Sequence, residues 1–287
     1  MTSSDAPVRA LFARAALSLV VVGLLGGASC SGASRGGEQA VAERAEAPSL
    51  GRPDARLVVV TDLEGYLEPC GCTSRPLGGI DRMAAEIARL RGDGVPTVVV
   101  SAGDLLFDGG GDYHVDRPGA ETQEIWKAET LVDILSRVGL AAAVPGGLDL
   151  RFGPRTFARL AERAAFPLLG AGVRVSVPAE PAASDAAPRD ADPLEPTPAT
   201  ATLALPAHVI VTAGSLRMGL VGVSDMSVAG RRDGAVEAPA DLVARAAEAT
   251  RAARADGADV VVVLVRGPRR DARRIASQVE GVDFVVE

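Results

Sequence analysis

The chain has 287 residues, enough for one large domain or two small ones, and 47% of them are apolar, which is ample for a core. Aromatic residues make up only 3% and the formal net charge is −7. Both argue against a surface that stacks bases or attracts a polyanion, so no nucleic-acid polymer is expected as a partner.

The first thirty residues form a separate unit. Arg9 and Arg14 precede an apolar run from Ala15 to Leu25, and Gly26-Gly27-Ala28-Ser29-Cys30 follows. The run is short for a membrane span, which needs about 18 residues or more, and has the form of a secretion signal. The small residues leading to Cys30 resemble the lipobox of bacterial lipoproteins, although Gly27 stands where that pattern usually has Leu. In that family the cysteine is acylated and becomes the new N-terminus. The resemblance implies lipid anchoring in the bacterial cell envelope, on the periplasmic or extracellular face, with the membrane as a partner. Ordinary cleavage would leave Cys30 as an odd thiol, and an uncleaved anchor is a third reading. Residues 31–54 are rich in Gly, Ala, Ser and Glu without an apolar period, and read as a tether.

From residue 55 to 287, buried-looking strands alternate with helices, which predicts an α/β domain with a parallel or mixed sheet covered on both faces. The first strand, Arg56 to Thr61, is nearly all apolar, as expected of a strand buried on both sides. It runs into Asp62-Leu63-Glu64-Gly65-Tyr66-Leu67-Glu68-Pro69-Cys70-Gly71-Cys72. Carboxylates and thiols thus share one loop at the carboxyl end of a strand, where open α/β sheets build their sites. Ile80, Met83, Ala84, Ile87 and Leu90 recur at helical spacing. The strand Thr97 to Ala102 then delivers a second carboxylate, Asp104.

A helix is predicted from Glu121 to Val138 with Ile125, Val132, Leu135 and Val138 inward, and Trp126 as core or interface packing. A strand at Ala141 to Val144 leads to Gly146-Gly147, read as a tight turn with unusual backbone angles, and to Asp149. A helix from Pro154 to Ala165 returns to a strand near Pro167 to Ala171. Residues 176–206, dominated by Pro, Ala, Asp and Thr, read as a flexible insertion. His208 to Thr212 and Met218 to Val223 flank Gly214-Ser215 as a β-hairpin. A helix from Ala240 to Ala255, a strand from Asp259 to Val265, a helix from Arg269 to Val279 and a strand from Val282 to Val286 complete the pattern. Ending at Glu287, directly after a strand, is abrupt for this architecture, as in a truncated product or a chain with missing downstream sequence.

Three segments in order, Asp62 through Pro69, Leu77-Gly78-Gly79-Ile80 and Val100-Ser101-Ala102-Gly103-Asp104, resemble the opening of exported 5′-nucleotidase-type metallophosphoesterases of the calcineurin-like superfamily. The likeness continues through Gly146 to Gly153, Gly219 to Ser224 and Gly257 to Val265. It implies a layered α-β-β-α core with mixed sheets, holding two metals about 3.5–4 Å apart that activate water against a phosphate ester. By position, Asp62 matches the first ligand and Asp104 the bridging aspartate. Glu64 replaces a histidine, Gly147 the asparagine ligand and Leu148 the histidine that polarises the phosphate. Asp149 follows at an acidic position, and Arg266 stands where a further histidine is expected. The final Gly-His-x-His motif is missing.

Histidine counting agrees, since only His114 and His208 exist. His208 reads as structural, while His114, in the Gly-rich, Asp-containing loop from Asp108 to Asp116, is a minor candidate ligand. A di-metal phosphatase of the usual kind cannot be built from these residues, but one divalent cation such as Mg²⁺, Mn²⁺ or Ca²⁺ fits the oxygens of Asp62, Glu64, Asp104 and Asp149. Cys70-Gly71-Cys72 looks like the mark of a divergent exported branch. A structural or incidental disulfide, a redox-active dithiol and a metal-binding pair are all open for it. The favoured expectation is a lipid-anchored binding or redox module with a degenerate di-metal centre. It would take a small phosphorylated ligand or a thiol-redox partner. An active phosphoester (nucleotide) hydrolase with an acidic, histidine-poor site is the alternative.

Overall fold

The computed structural model describes residues 51–69, 78–109, 119–178, 201–226 and 236–287. The signal segment, Cys30, residues 31–50, Cys70, Cys72, His114 and residues 179–200 of the insertion lie outside the described residues.

Three strands, β1 (Arg56–Val60), β2 (Thr97–Ser101) and β3 (Leu140–Ala143), form a parallel sheet in the order β1-β2-β3. Helices α1 (Ile80–Arg91), α2 (Ala120–Val138) and α3 (Gly153–Arg163) supply the cover for one face. The strand period of two divides the valines of β2. Val99 packs with Ile87, Leu131, Leu135 and Leu160, whereas Val98 and Val100 face a second sheet. That neighbour contains β6 (His208–Ala213), β7 (Leu216–Ser224), β9 (Val260–Arg266) and β10 (Phe284–Val286), in the order β10-β9-β7-β6. Its β6–β7 pair is antiparallel and its other pairs are parallel, so the sheet is mixed.

Met218, Leu220, Val262 and Leu264 meet Val98, Val100, Ala142 and Val144 between the sheets. On the far side, Val261, Val263 and Val265 of β9 pack with residues of α4 (Leu242–Ala255) and α5 (Arg269–Gln278). Helix α4 starts where Asp241 accepts the N–H groups of Val243 and Ala244 at 3.0 and 3.1 Å, satisfying donors that the first turn leaves open. The resulting order of layers is helices, sheet, sheet, helices.

A small antiparallel sheet, order β5-β4-β8, is built from β4 (Arg174–Val177), β5 (Ala201–Ala204) and β8 (Val236–Glu237). The unstructured reading of residues 176–206 is thus too wide. Val175 is fully buried and Leu203 packs beside it, so both margins of the insertion pair as strands.

Other sequence expectations also change. β1 is an edge strand with Val59 40% exposed, so it is not buried on both faces. Trp126 is 65% exposed, so it is not core packing, because the buried stripe of α2 runs through Ala128, Leu131, Val132 and Leu135. The expected strand at Pro167 to Ala171 is reduced to one parallel bridge between Leu168 and Ala143. The segment instead ties the sheets together: Leu169 N–H donates to Ala143 O at 2.7 Å, and Ala171 N–H to Gly222 O at 2.8 Å. A Cβ on Gly222 would overlap Leu169, so this crossing needs glycine.

Candidate functional site

The carboxyl ends of β1, β2, β3, β7 and β9 meet at one edge of the layered core. Ser224 Oγ, at the end of β7, donates to Pro145 O at 2.6 Å, and Arg266, at the end of β9, reaches Asp104 beyond β2. The loops after β1 and β2 extend the sheet pairing past its last residues. Asp62, Glu64 and Gly65 donate their N–H groups to the carbonyls of Gly103, Asp104 and Leu105 at 3.1, 3.0 and 2.9 Å. The non-glycine residues with positive φ among those described are Asp62 at 51°, Glu64 at 47° and Asp104 at 44°. Non-glycine side chains rarely adopt this left-handed region, and such strain concentrates at functional sites. All three carry carboxylates that the sequence singles out.

Asp104 is buried, with its side chain 2% exposed. Its Oδ1 accepts the Leu148 N–H at 3.3 Å, and its Oδ2 accepts a short hydrogen bond from Arg266 Nη2. The same guanidinium places Nη1 3.7 Å from Asp62 Oδ1. Arg266 therefore links the first and second strand-end carboxylates. Two glycines make the room. A Cβ on Gly103 would stand 2.5 Å from Arg266 Cδ, and one on Gly146 would overlap the Asp104 carboxyl. Gly146 and Gly147 do not adopt the unusual angles expected of them: neither has a positive φ, and Gly147 is right-handed at φ −64°. Gly146 is required by space rather than by torsion.

Asp149 lies in a 3₁₀ turn, Leu148–Leu150, and is buried. Its Oδ1 accepts the N–H groups of Leu105 and Leu106 at 3.0 and 2.8 Å, and its Oδ2 accepts that of Gly146 at 2.8 Å. It fastens the loop after β2 to the loop after β3. Burial pushes its carboxyl up to about 7 against the opposing pull of those backbone donors. Glu64 is also raised, first by partial burial and then by Asp62, Asp104 and Asp108, while Arg266 pulls it back. Asp108 is ion-paired with Arg151, which lies over the Phe152 ring at 5.3 Å.

Among the described residues, no group of three or more His, Cys, Asp or Glu side chains converges in a way that could hold a metal ion. The structure brings Asp62 and Asp104 onto Arg266, sets Glu64 within their field and commits the oxygens of Asp149 to backbone. The expected single cation thus gains no assembled donor set. Gly147 and Leu148, which replace the resemblance's asparagine and histidine, line a cleft of about 410 Å³ with Asp104, Asp225, Arg266, Gly267 and Pro268. His208 is remote in role, its Nε2 2.8 Å from Asp256 Oδ2 just beyond α4. The sequence marks Arg266 as a replaced histidine but not as an ion-pair partner. The signal available was an arginine at the end of a buried strand, in a chain where two other strands run into carboxylates.

The order of layers is that of a metallophosphoesterase-like fold, as the likeness to solved structures shows. Among solved structures, the chain is similar to a 5′-nucleotidase precursor from Thermus thermophilus, at 24% identity and a TM-score of 0.56, over 80% of this chain and 40% of that one. It is similar to the sulfate thiohydrolase SoxB of Thermus thermophilus, at 20% identity and a TM-score of 0.57, over 82% and 48% of the two chains. The calcineurin-like phosphoesterase YfkN of Bacillus subtilis gives 19% identity and a TM-score of 0.54, over 80% and 70%. The likeness is one of fold, and the chain spans less than half the length of the first two structures. No protein-family model matches the chain, and no curated protein sequence does.

Proposed function

We propose that this protein is an exported, lipid-anchored module of the bacterial envelope, built on a metallophosphoesterase fold whose di-metal centre is degenerate. One observation supports the degenerate centre, Arg266 sitting between Asp104 and Asp62 and donating to the buried carboxylate, while export and the anchor rest on the sequence before and at Cys30. The donor set present does not fit two metals. The matching positions hold Gly147 and Leu148, Asp149 is committed to three backbone N–H groups, and a fixed cation already faces Asp62 and Asp104. Loss of a single transition-state stabiliser costs roughly 10²–10³ in rate. Here a ligand and the phosphate-polarising histidine are both replaced.

Three carboxylates, Asp62, Glu64 and Asp104, stand against the one guanidinium of Arg266, which disfavours a phosphorylated ligand at these loops. Any chemistry of the module is proposed at Cys70 and Cys72, the two thiols that the sequence sets in the loop after β1, with a thiol-redox partner. Phosphate release tests the first half of the reading. Purified protein with nucleoside monophosphates and Mn²⁺ or Mg²⁺ should release no phosphate above an Asp104→Ala control. Turnover that the same substitution abolishes would establish the acidic-site hydrolase instead.

A further inference from the structure

We infer that Arg266 is a built-in counter-ion that replaces metal at this centre, so that the strand-end loops hold their conformation without a divalent cation. The inference deepens the degenerate-centre reading and rests on it. Two strand-end carboxylates, Asp62 and Asp104, face the one guanidinium. Asp62, Glu64 and Asp104 all have positive φ, and their loops are zipped by backbone hydrogen bonds from Asp62, Glu64 and Gly65 to Gly103, Asp104 and Leu105. A buried carboxylate such as Asp104 persists only when it is paired and hydrogen-bonded. Its pairing comes from within the chain, from Arg266 Nη2 on one oxygen and the Leu148 N–H on the other.

The fit is specific to an arginine in this place. Arg266 is the last residue of β9 and lies in register with Ser224 of β7, whose hydroxyl is locked to Pro145 O. Its carbonyl accepts the Asp225 N–H at 2.7 Å, which fixes the backbone from which the side chain projects. Gly103 then leaves the stem its path, since a Cβ there would stand 2.5 and 2.8 Å from Cδ and Cγ. A planar, permanently charged guanidinium serves two carboxylates at once, which a shorter or titratable side chain at this position does not do. The Arg266 side chain is itself 39% exposed, yet its partner is 2% exposed, so removing the arginine strands a buried charge rather than a solvated one.

Thermal unfolding of the purified full chain, with EDTA or with Mn²⁺, is the test. Wild-type Tm is expected to change by less than about 1 °C between the two. Arg266→Met keeps the length of the stem and removes the charge. It is expected to lower Tm by roughly 5–10 °C, and the double variant Arg266→Met/Asp104→Asn to regain at least about half of that loss. A wild-type Tm that rises several degrees with Mn²⁺ overturns the inference, as does an Arg266→Met protein as stable as wild type. A loss that the second substitution does not relieve also overturns it, because the stem rather than the charge would then matter. Should Arg266→Met fail to fold, the wild-type metal response and the double variant still decide. A wild type that hydrolyses nucleotides refutes the proposed function. An inert one that gains stability from Mn²⁺ refutes only the counter-ion.

Discussion

Asp149 shows how a single carboxylate is used as a fastener instead of a ligand. Its ordinary pKa is near 3.8 and burial pushes it up to about 7, so the folded state holds the proton more tightly than the unfolded chain does. The contribution is therefore fully present below about pH 4 and is lost as pH rises through 7. A tenfold difference in proton affinity between the two states is worth about 1.4 kcal/mol, so the wild-type loss over this window is on the order of a few kcal/mol. In Asp149→Asn the amide oxygen keeps the Leu105 and Leu106 donors while the Gly146 N–H loses its acceptor, at a cost of about 1 kcal/mol. Urea unfolding between pH 4 and 8 should show wild-type stability falling more steeply than that of the variant. Parallel curves would mean that Asp149 stays ionised throughout. The sequence places Asp149 beside the site, but three backbone donors converging on it come from residues 3 to 44 positions away and leave no sequence signal. Arg266 is similar: its position is legible, whereas its partner depends on two strand ends from different sheets.

At the scale of elements, the helices and most strands follow from apolar spacing, with ends displaced by a residue or two, because periodicity reports burial directly. The failures lie where neighbours decide. β5 occupies a stretch whose composition reads as insertion, and it is a strand because Val175 and Leu203 meet across β4 and β5. Pro167 to Ala171 looks like a strand and is instead a tie between sheets, made possible by Gly222. The loop from β1 to α1 raises the one chemical question that spacing does pose. Its flanks are pinned together, with Ile80 N–H donating to Leu67 O at 3.2 Å and Gly79 seated against Pro69. Between them the sequence sets Cys70-Gly71-Cys72, two thiols one residue apart. A disulfide across so short a step is tight and hence easily reduced, in contrast to structural disulfides, whose potentials lie below about −300 mV. Titration of the pair against glutathione buffers should therefore find a midpoint within the physiological range. A pair that never reduces there leaves only a structural role.

For the whole molecule, alternating strands and helices predict a sheet covered on both faces, the four-layer order comes only with the resemblance to metallophosphoesterases, and the small third sheet is in neither. Attachment to the membrane is a separate matter from this fold. Among the described residues, no helix is long and apolar enough to cross a bilayer. The run from Ala15 to Leu25 is also shorter than the roughly 18 residues a span needs. The proposed lipid anchor rests on Cys30, the cysteine that follows Gly26-Gly27-Ala28-Ser29. Acyl chains contribute about 0.8 kcal/mol per buried CH₂, so lipid on this one residue is enough to change how the whole protein partitions, and two chains hold far better than one. Expressed in a bacterial host, the full chain should enter the detergent phase of a Triton X-114 separation. Cys30→Ser should move it to the aqueous phase, either uncleaved in small amounts or processed as an ordinary secreted protein. Retention of the serine variant in the detergent phase would point to an uncleaved apolar anchor, and an aqueous wild type to ordinary signal cleavage. In the latter case Cys30 becomes a third exported thiol, and the redox behaviour of Cys70 and Cys72 has to be measured in a Cys30→Ser background.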